Sequence, residues 1–232
     1  MSVCAPERLQ RAVVSLYPDI EERVRLNQRT RSETDLWREL SCCLLSSQVP
    51  YGLAQAAAEA IESNGLLTQS RVAPTEIEAI LSAPMRVAGQ ERHYRFPASR
   101  AVQLAATHAR VMEEARGLQA LLDKLGSADE ARRWFVLYAL GFGPKQASMF
   151  LRNIGITYEL AVLDRHVLRY MYAVGLQDGP PWSVGTIADY RRCEQVLVDH
   201  ARMLGFRVGL LDWAIWIVAR AARSLRLEVL PG

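Results

Sequence analysis

Strand-like alternation is scarce in this 232-residue chain, and no apolar run reaches the length of a membrane span. The opening MSVCAPERLQ lacks the apolar core of a signal peptide, so the expected location is the cytoplasm. The four cysteines, Cys4, Cys42, Cys43 and Cys193, show no Cys-x-x-Cys or other metal-ligand spacing, which argues against a structural zinc or an iron–sulfur cluster. Cys42 and Cys43 lie in an apolar helix and read as small core residues. Neither sign of charge dominates: 28 Lys and Arg against 25 Asp and Glu leave a net charge of +3. A nucleic-acid partner would therefore need a local basic face rather than a large total. There is no internal repeat and no low-complexity tail.

What is present is apolar content, half of all residues, arranged at helical spacing. That is enough for a real core, in one domain or two small lobes. Glu7 to Leu16 forms a first amphipathic segment that Tyr17-Pro18 is expected to end. Ser32-Glu33-Thr34-Asp35 reads as a capping box for Leu36 to Ser46. Further helices are expected over Leu53 to Glu62, Thr75 to Leu81, Ala98 to Glu114, Ala131 to Leu140, Arg165 to Val174, Thr186 to Met203 and Gly209 to Leu225. His93 to Pro97 is a connector, and Gly175 to Gly185 is a long loop. The sum is an all-α protein of about ten helices.

The chemistry concentrates at Leu140-Gly141-Phe142-Gly143-Pro144-Lys145. Gly141 and Gly143 allow a tight turn between two helices, and Phe142 can plug the gap between them. Pro144 suits the first helical turn, where its missing N–H costs nothing. Lys145 then lies at the positive end of a helix whose start presents backbone N–H groups to an anion. Nineteen residues later, Asp164 opens the next helix.

This block, continued by Gln146-Ala147-Ser148-Met149-Phe150-Leu151-Arg152-Asn153-Ile154-Gly155 and Leu163-Asp164-Arg165-His166-Val167-Leu168-Arg169, resembles the helix-hairpin-helix DNA glycosylases. Within them it is similar to the archaeal-type 8-oxoguanine DNA glycosylase/lyases. Leu36-Trp37-Arg38-Glu39-Leu40 through Ser46-Ser47-Gln48, Arg95-Phe96 with Arg100-Ala101, and Leu211-Asp212-Trp213-Ala214-Ile215-Trp216 extend the similarity over nearly the whole chain. The resemblance implies a two-lobed all-α fold with the reaction centre in a cleft between lobes. The lobes would span 25–125 and 125–205, the second carrying the hairpin. The C-terminal helix and tail, 206–232, would contribute to the base pocket.

The activity it implies is excision of an oxidised purine, 8-oxoguanine first, from duplex DNA by a nucleoid-associated monomer. No cofactor is implied, although related hairpins bind a monovalent cation between turn and DNA. Lys145 would attack the anomeric carbon, for which its amine must be neutral, whereas a free lysine titrates near 10.4. Asp164 would stabilise the cationic sugar and manage the lysine's protons. Gly141, Phe142 and Gly143 would grip phosphate, with Arg152, Arg165 and Arg169 as further contacts. Phe96 and Trp216 would stack on the extruded base, Asp212 would accept from its N–H edge, and Gln48 would fill the vacated hole.

Plainer roles stand beside these. Lys145 would be a solvated lysine on a structural turn, Asp164 a helix cap (a role compatible with catalysis), and Trp216 or Phe96 ordinary hydrophobes. Gln48 would be a loop amide. Asp212, a carboxylate inside an apolar run, needs a partner or a pocket. The resembled group ends in a short basic tail, whereas this sequence runs on through Arg220 to Pro231-Gly232, so a different damaged or modified base is an alternative substrate. A non-catalytic DNA-binding module is the alternative of another class.

Overall fold

A computed structural model describes residues 5–27, 31–178, 184 and 186–224. In chain order the helices are α1 (Ala5–Leu26), α2 (Glu33–Leu45), α3 (Tyr51–Ser63) and α4 (Pro74–Ser82), then, after a short hairpin of β1 (Met85–Val87) and β2 (Gln90–Arg92), α5 (Pro97–Ala115) and α6 (Leu118–Lys124). There follow α7 (Ala128–Tyr138), α8 (Pro144–Asn153), α9 (Arg165–Ala173), α10 (Ile187–Met203) and α11 (Val208–Ser224). The all-α expectation holds, and none of the described helices is long and apolar enough to cross a membrane. The Gly179-Pro180-Pro181 part of the expected loop and the tail 225–232 lie outside the described residues.

Contacts divide the chain into two compact units, Thr30–Ile156 and a second made of Met1–Arg29 with Thr157–Gly232. The expected boundary near 125 is therefore displaced. The hairpin α7–α8 belongs with α2 to α6, whereas Asp164 belongs with α1 and α9 to α11. The physical reason lies in the packing of α8: Ala147, Phe150 and Leu151 are fully buried, and α2 is among the helices they pack near.

Three elements depart from the local sequence pattern. Helix α1 does not stop at Pro18 but runs on to Leu26. Proline inside a helix removes a hydrogen bond and costs about 3 kcal/mol. Against that, Leu9, Val13, Tyr17, Ile20 and Val24 form one buried stripe that spans the proline, on a helix that packs against α11. Tyr17 also stacks on Phe206 at 3.8 Å, and its hydroxyl accepts from the Arg207 N–H at 2.9 Å.

Helix α6 carries no local start signal, because its cap is remote. The Glu33 carboxylate accepts the N–H groups of Leu118 and Gln119, at 2.6 and 2.9 Å, from 85 and 86 residues away. Ser32 and Asp35 meanwhile close the expected capping box on α2. The β-hairpin turns through Ala88 and Gly89, both at positive φ (49° and 77°), the signature of a type I′ turn. Its three-residue strands are too short to show alternation.

Candidate active site

Within the unit 30–156 the hairpin turn is built as its sequence requires. Gly141 sits at φ +87°, and a Cβ there would lie 2.5 Å from Gln103 Oε1. Phe142 is buried against Phe135, with ring centroids 5.9 Å apart, and Phe135 meets Phe150 of α8 edge-on at 5.0 Å. The two helices are thus pinned by three rings. Gly143 caps α8 in an extended conformation, and Pro144 fills the first turn.

Within the unit the row of N–H groups at 141–143 is only partly free. Phe142 donates to the Ala139 carbonyl at 3.0 Å, and Gly143 donates to Gln146 Oε1 at 3.2 Å. The N–H groups of Gly141, Lys145 and Gln146 have no backbone acceptor among the described residues, so an anion would be met there.

Lys145 is half-buried on the opening turn of α8, and within its unit no hydrogen bond or ion pair holds its amine. The sequence contains two lysines. The other, Lys124, is bound to Glu114 on the surface.

The same unit connects Gln48 and Phe96 to the hairpin, a link the sequence did not reveal. Tyr94 donates to the Leu45 carbonyl at 2.7 Å, which docks the connector against the end of α2. Arg100 donates to the Ser47 carbonyl at 3.4 Å and to Gln103 Oε1 at 2.5 Å, and its guanidinium lies 5.8 Å from the Phe96 ring centre. Gln103 in turn is the side chain that abuts Gly141. Gln48 itself is exposed and held at φ +61°, a conformation a glutamine adopts only when its surroundings impose it.

Arg152, expected as a further phosphate contact, has a side-chain partner within the unit. It lies in the last turn of α8, seven residues past Lys145 and hence about 10 Å further along the axis. Its Nε donates to Asn153 Oδ1 at 3.1 Å, and Asn153 donates to Glu39 at 2.7 Å. Nearby, burial pushes the Cys42 thiol up to about 12 and that of Cys43 well above its ordinary range, as befits inert core cysteines.

In the second unit Asp164 caps α9. Its Oδ1 accepts from His166 and Val167 N–H at 2.8 and 2.9 Å, and Oδ2 takes no hydrogen bond within the unit. Capping and availability thus coexist. Arg165 is exposed on the first turn of α9, whereas Arg169 is half-buried. Trp216 is half-buried beneath Arg220, whose guanidinium lies 4.5 Å from the ring centre.

Asp212 has a backbone partner within its own unit. It is 1% exposed, and its Oδ2 accepts the Val162 N–H at 2.7 Å. A backbone partner thus meets the need of a carboxylate inside an apolar run. Two residues with no local sequence signal share this work on α10: Glu194 accepts from Ala161 N–H at 3.0 Å, and the Tyr190 hydroxyl bridges Leu163 N–H and the Ala161 carbonyl, at 3.1 and 2.7 Å. No group of three or more His, Cys, Asp or Glu among the described residues could hold a metal ion.

A protein-family model described as 8-oxoguanine DNA glycosylase, of helix-hairpin-helix type, matches residues 19–206. An 8-oxoguanine DNA glycosylase/AP lyase of Korarchaeum cryptofilum is 32% identical over 86% of this chain and 87% of its own. The crystal structure of the Thermotoga maritima 8-oxoguanine DNA glycosylase superposes with a TM-score of 0.67 at 25% identity, covering 97% of this chain and 98% of that one. That of the Methanocaldococcus jannaschii enzyme gives 0.72 at 23% identity, over 92% and 94%, a likeness of fold.

Proposed function

We propose, for a chain that belongs to the 8-oxoguanine DNA glycosylase family, that it excises 8-oxoguanine from duplex DNA and then cuts the strand as an abasic-site lyase, with Lys145 as nucleophile. The observation that carries the reading is Lys145 itself. It is an amine without an ion pair in its unit, on the first turn of α8, beside the N–H groups of Gly141, Lys145 and Gln146, which have no backbone acceptor among the described residues.

The damaged nucleotide must first leave the stack, which costs a few kcal/mol of unstacking and unpairing. Phosphate held at the hairpin, with Arg165 and Arg169 as further cationic contacts, anchors the strand without reading its sequence. Gln48, exposed on a strained turn, is suited to occupy the space the base leaves. Phe96 and Trp216 offer ring faces to the extruded purine.

The neutral Lys145 amine then bonds to C1′ as the C1′–N9 bond breaks, and the base departs with a proton. Opening of the sugar ring breaks the C1′–O4′ bond and gives an iminium. That cation acidifies C2′, and loss of a C2′ proton expels the 3′ phosphate by β-elimination. Water releases the sugar fragment and regenerates the amine. Asp164, with Oδ1 fixed by two backbone N–H groups, supplies a carboxylate that stabilises positive charge on the sugar and accepts protons.

The test is borohydride trapping on a panel of duplexes, each holding one defined lesion. A Lys145-dependent covalent adduct, strongest with 8-oxoguanine, is the expected result. An adduct strongest with another lesion would reassign the substrate, and no adduct with any duplex would leave only a DNA-binding module.

A further inference from the structure

Asp164 is preceded by a stretch that is neither helix nor paired strand, yet Ala161, Val162 and Leu163 are all buried. Their backbone groups are shielded from water, and no strand among the described residues pairs with them. Three consecutive N–H groups are instead taken by three side chains: Glu194 for Ala161, Asp212 for Val162 and Tyr190 for Leu163. The Tyr190 hydroxyl also donates to the Ala161 carbonyl at 2.7 Å. These partners are 7%, 1% and 4% exposed, respectively, so the set is sealed inside the unit. Burying two carboxylates to hold a short loop is a poor way to add stability, since apolar side chains would fill the same space at lower desolvation cost. What the arrangement delivers is a fixed backbone path.

We infer that Tyr190, Glu194 and Asp212 are positioning residues, a clamp from α10 and α11 that sets where the Asp164 carboxylate is presented. The inference rests on the reading of Asp164 as the acting carboxylate. The cap fixes the rotation of that carboxylate, because Oδ1 is held by His166 and Val167 N–H. Its location is fixed by the segment in front of it, which the clamp holds one residue at a time. The Asp164 N–H closes the path by donating to the Val162 carbonyl at 2.9 Å. A misplacement of about 1 Å at a reacting group costs on the order of 100-fold in rate.

The experiment compares Tyr190→Phe, Glu194→Met and Glu194→Gln with the wild-type protein on a duplex containing 8-oxoguanine. Single-turnover excision rate and duplex Kd are measured separately, with thermal unfolding as a control. Tyr190→Phe removes one hydroxyl and two hydrogen bonds; the rate should fall by roughly 10- to 100-fold while Kd stays within about twofold. Glu194→Met should fall in the same way. Glu194→Gln, whose amide oxygen still accepts from Ala161 N–H, should restore the rate to within about threefold of wild type. If Glu194→Met does not fold, Tyr190→Phe and Glu194→Gln carry the comparison.

Wild-type excision at all three variants would overturn the clamp while leaving the glycosylase reading intact. So would a loss confined to Kd, or a Glu194→Gln variant as slow as Tyr190→Phe. Failure of the wild-type protein to excise any lesion would instead sink the reading on which the clamp depends.

Discussion

Replacing Gly141 by alanine tests whether the hairpin turn is tied to the Gln48 loop. The residue sits at φ +87°, where a Cβ is opposed by its own backbone, a cost of about 1–2 kcal/mol. The added methyl would also meet Gln103 Oε1 at 2.5 Å. That oxygen is the tip of a flexible side chain, so the overlap is relieved by moving it, and the real loss is its bond to Arg100. A hydrogen bond to a charged group is worth about 1.5–3 kcal/mol, and the lower end applies to this half-exposed pair. The total is about 3 kcal/mol, measurable by urea unfolding. Gly141→Ala combined with Gln103→Ala should show coupling of about 1 kcal/mol or more in a double-mutant cycle, because the clash disappears with its partner. Gly141→Ala within about 0.5 kcal/mol of wild type, or strict additivity in the cycle, would refute the reasoning.

Gln48→Gly should relieve the positive φ and stabilise the fold by about 0.5–1 kcal/mol, whereas Gln48→Ala should not. Both should slow excision by about tenfold if the side chain supports the extruded state. Pro18→Ala should restore a helical hydrogen bond in α1 and raise stability by roughly 2 kcal/mol in a denaturant titration. Burial holds His108 and His200 below the ordinary histidine range. The unfolded chain therefore binds more protons, and stability should fall as pH drops through about 6.5, with a slope of at most about 1.4 kcal/mol per pH unit for each residue. His108→Gln with His200→Gln should flatten that slope.

What could be read from the sequence was local. The capping box at Ser32 and Asp35 and the Gly-Phe-Gly-Pro turn depend on neighbours a few residues away, and each forms as expected. What could not be read depends on distant partners. Helix α6 starts where Glu33 reaches it, and α1 survives Pro18 because a buried stripe continues beyond it. The unit boundary follows from α8 packing near α2, which no periodicity encodes. Among the candidate residues, Lys145 and Asp164 lie at helix starts that their own sequence defines. Asp212 stands out because a carboxylate in an apolar run must be satisfied, but the pattern does not say by what. The answer, the Val162 N–H, lies 50 residues away. Tyr190 and Glu194 look like ordinary helix residues until the buried segment they face is known.

The central claim is that one amine performs the chemistry, and two lysines make it directly checkable. The wild-type protein would be reduced with borohydride on a duplex carrying a single 8-oxoguanine, digested, and the sugar-bearing peptide sequenced by mass spectrometry. The account predicts the adduct on Lys145. An adduct on Lys124 or on the chain's amino terminus, or strand cleavage with no adduct at all, would contradict it.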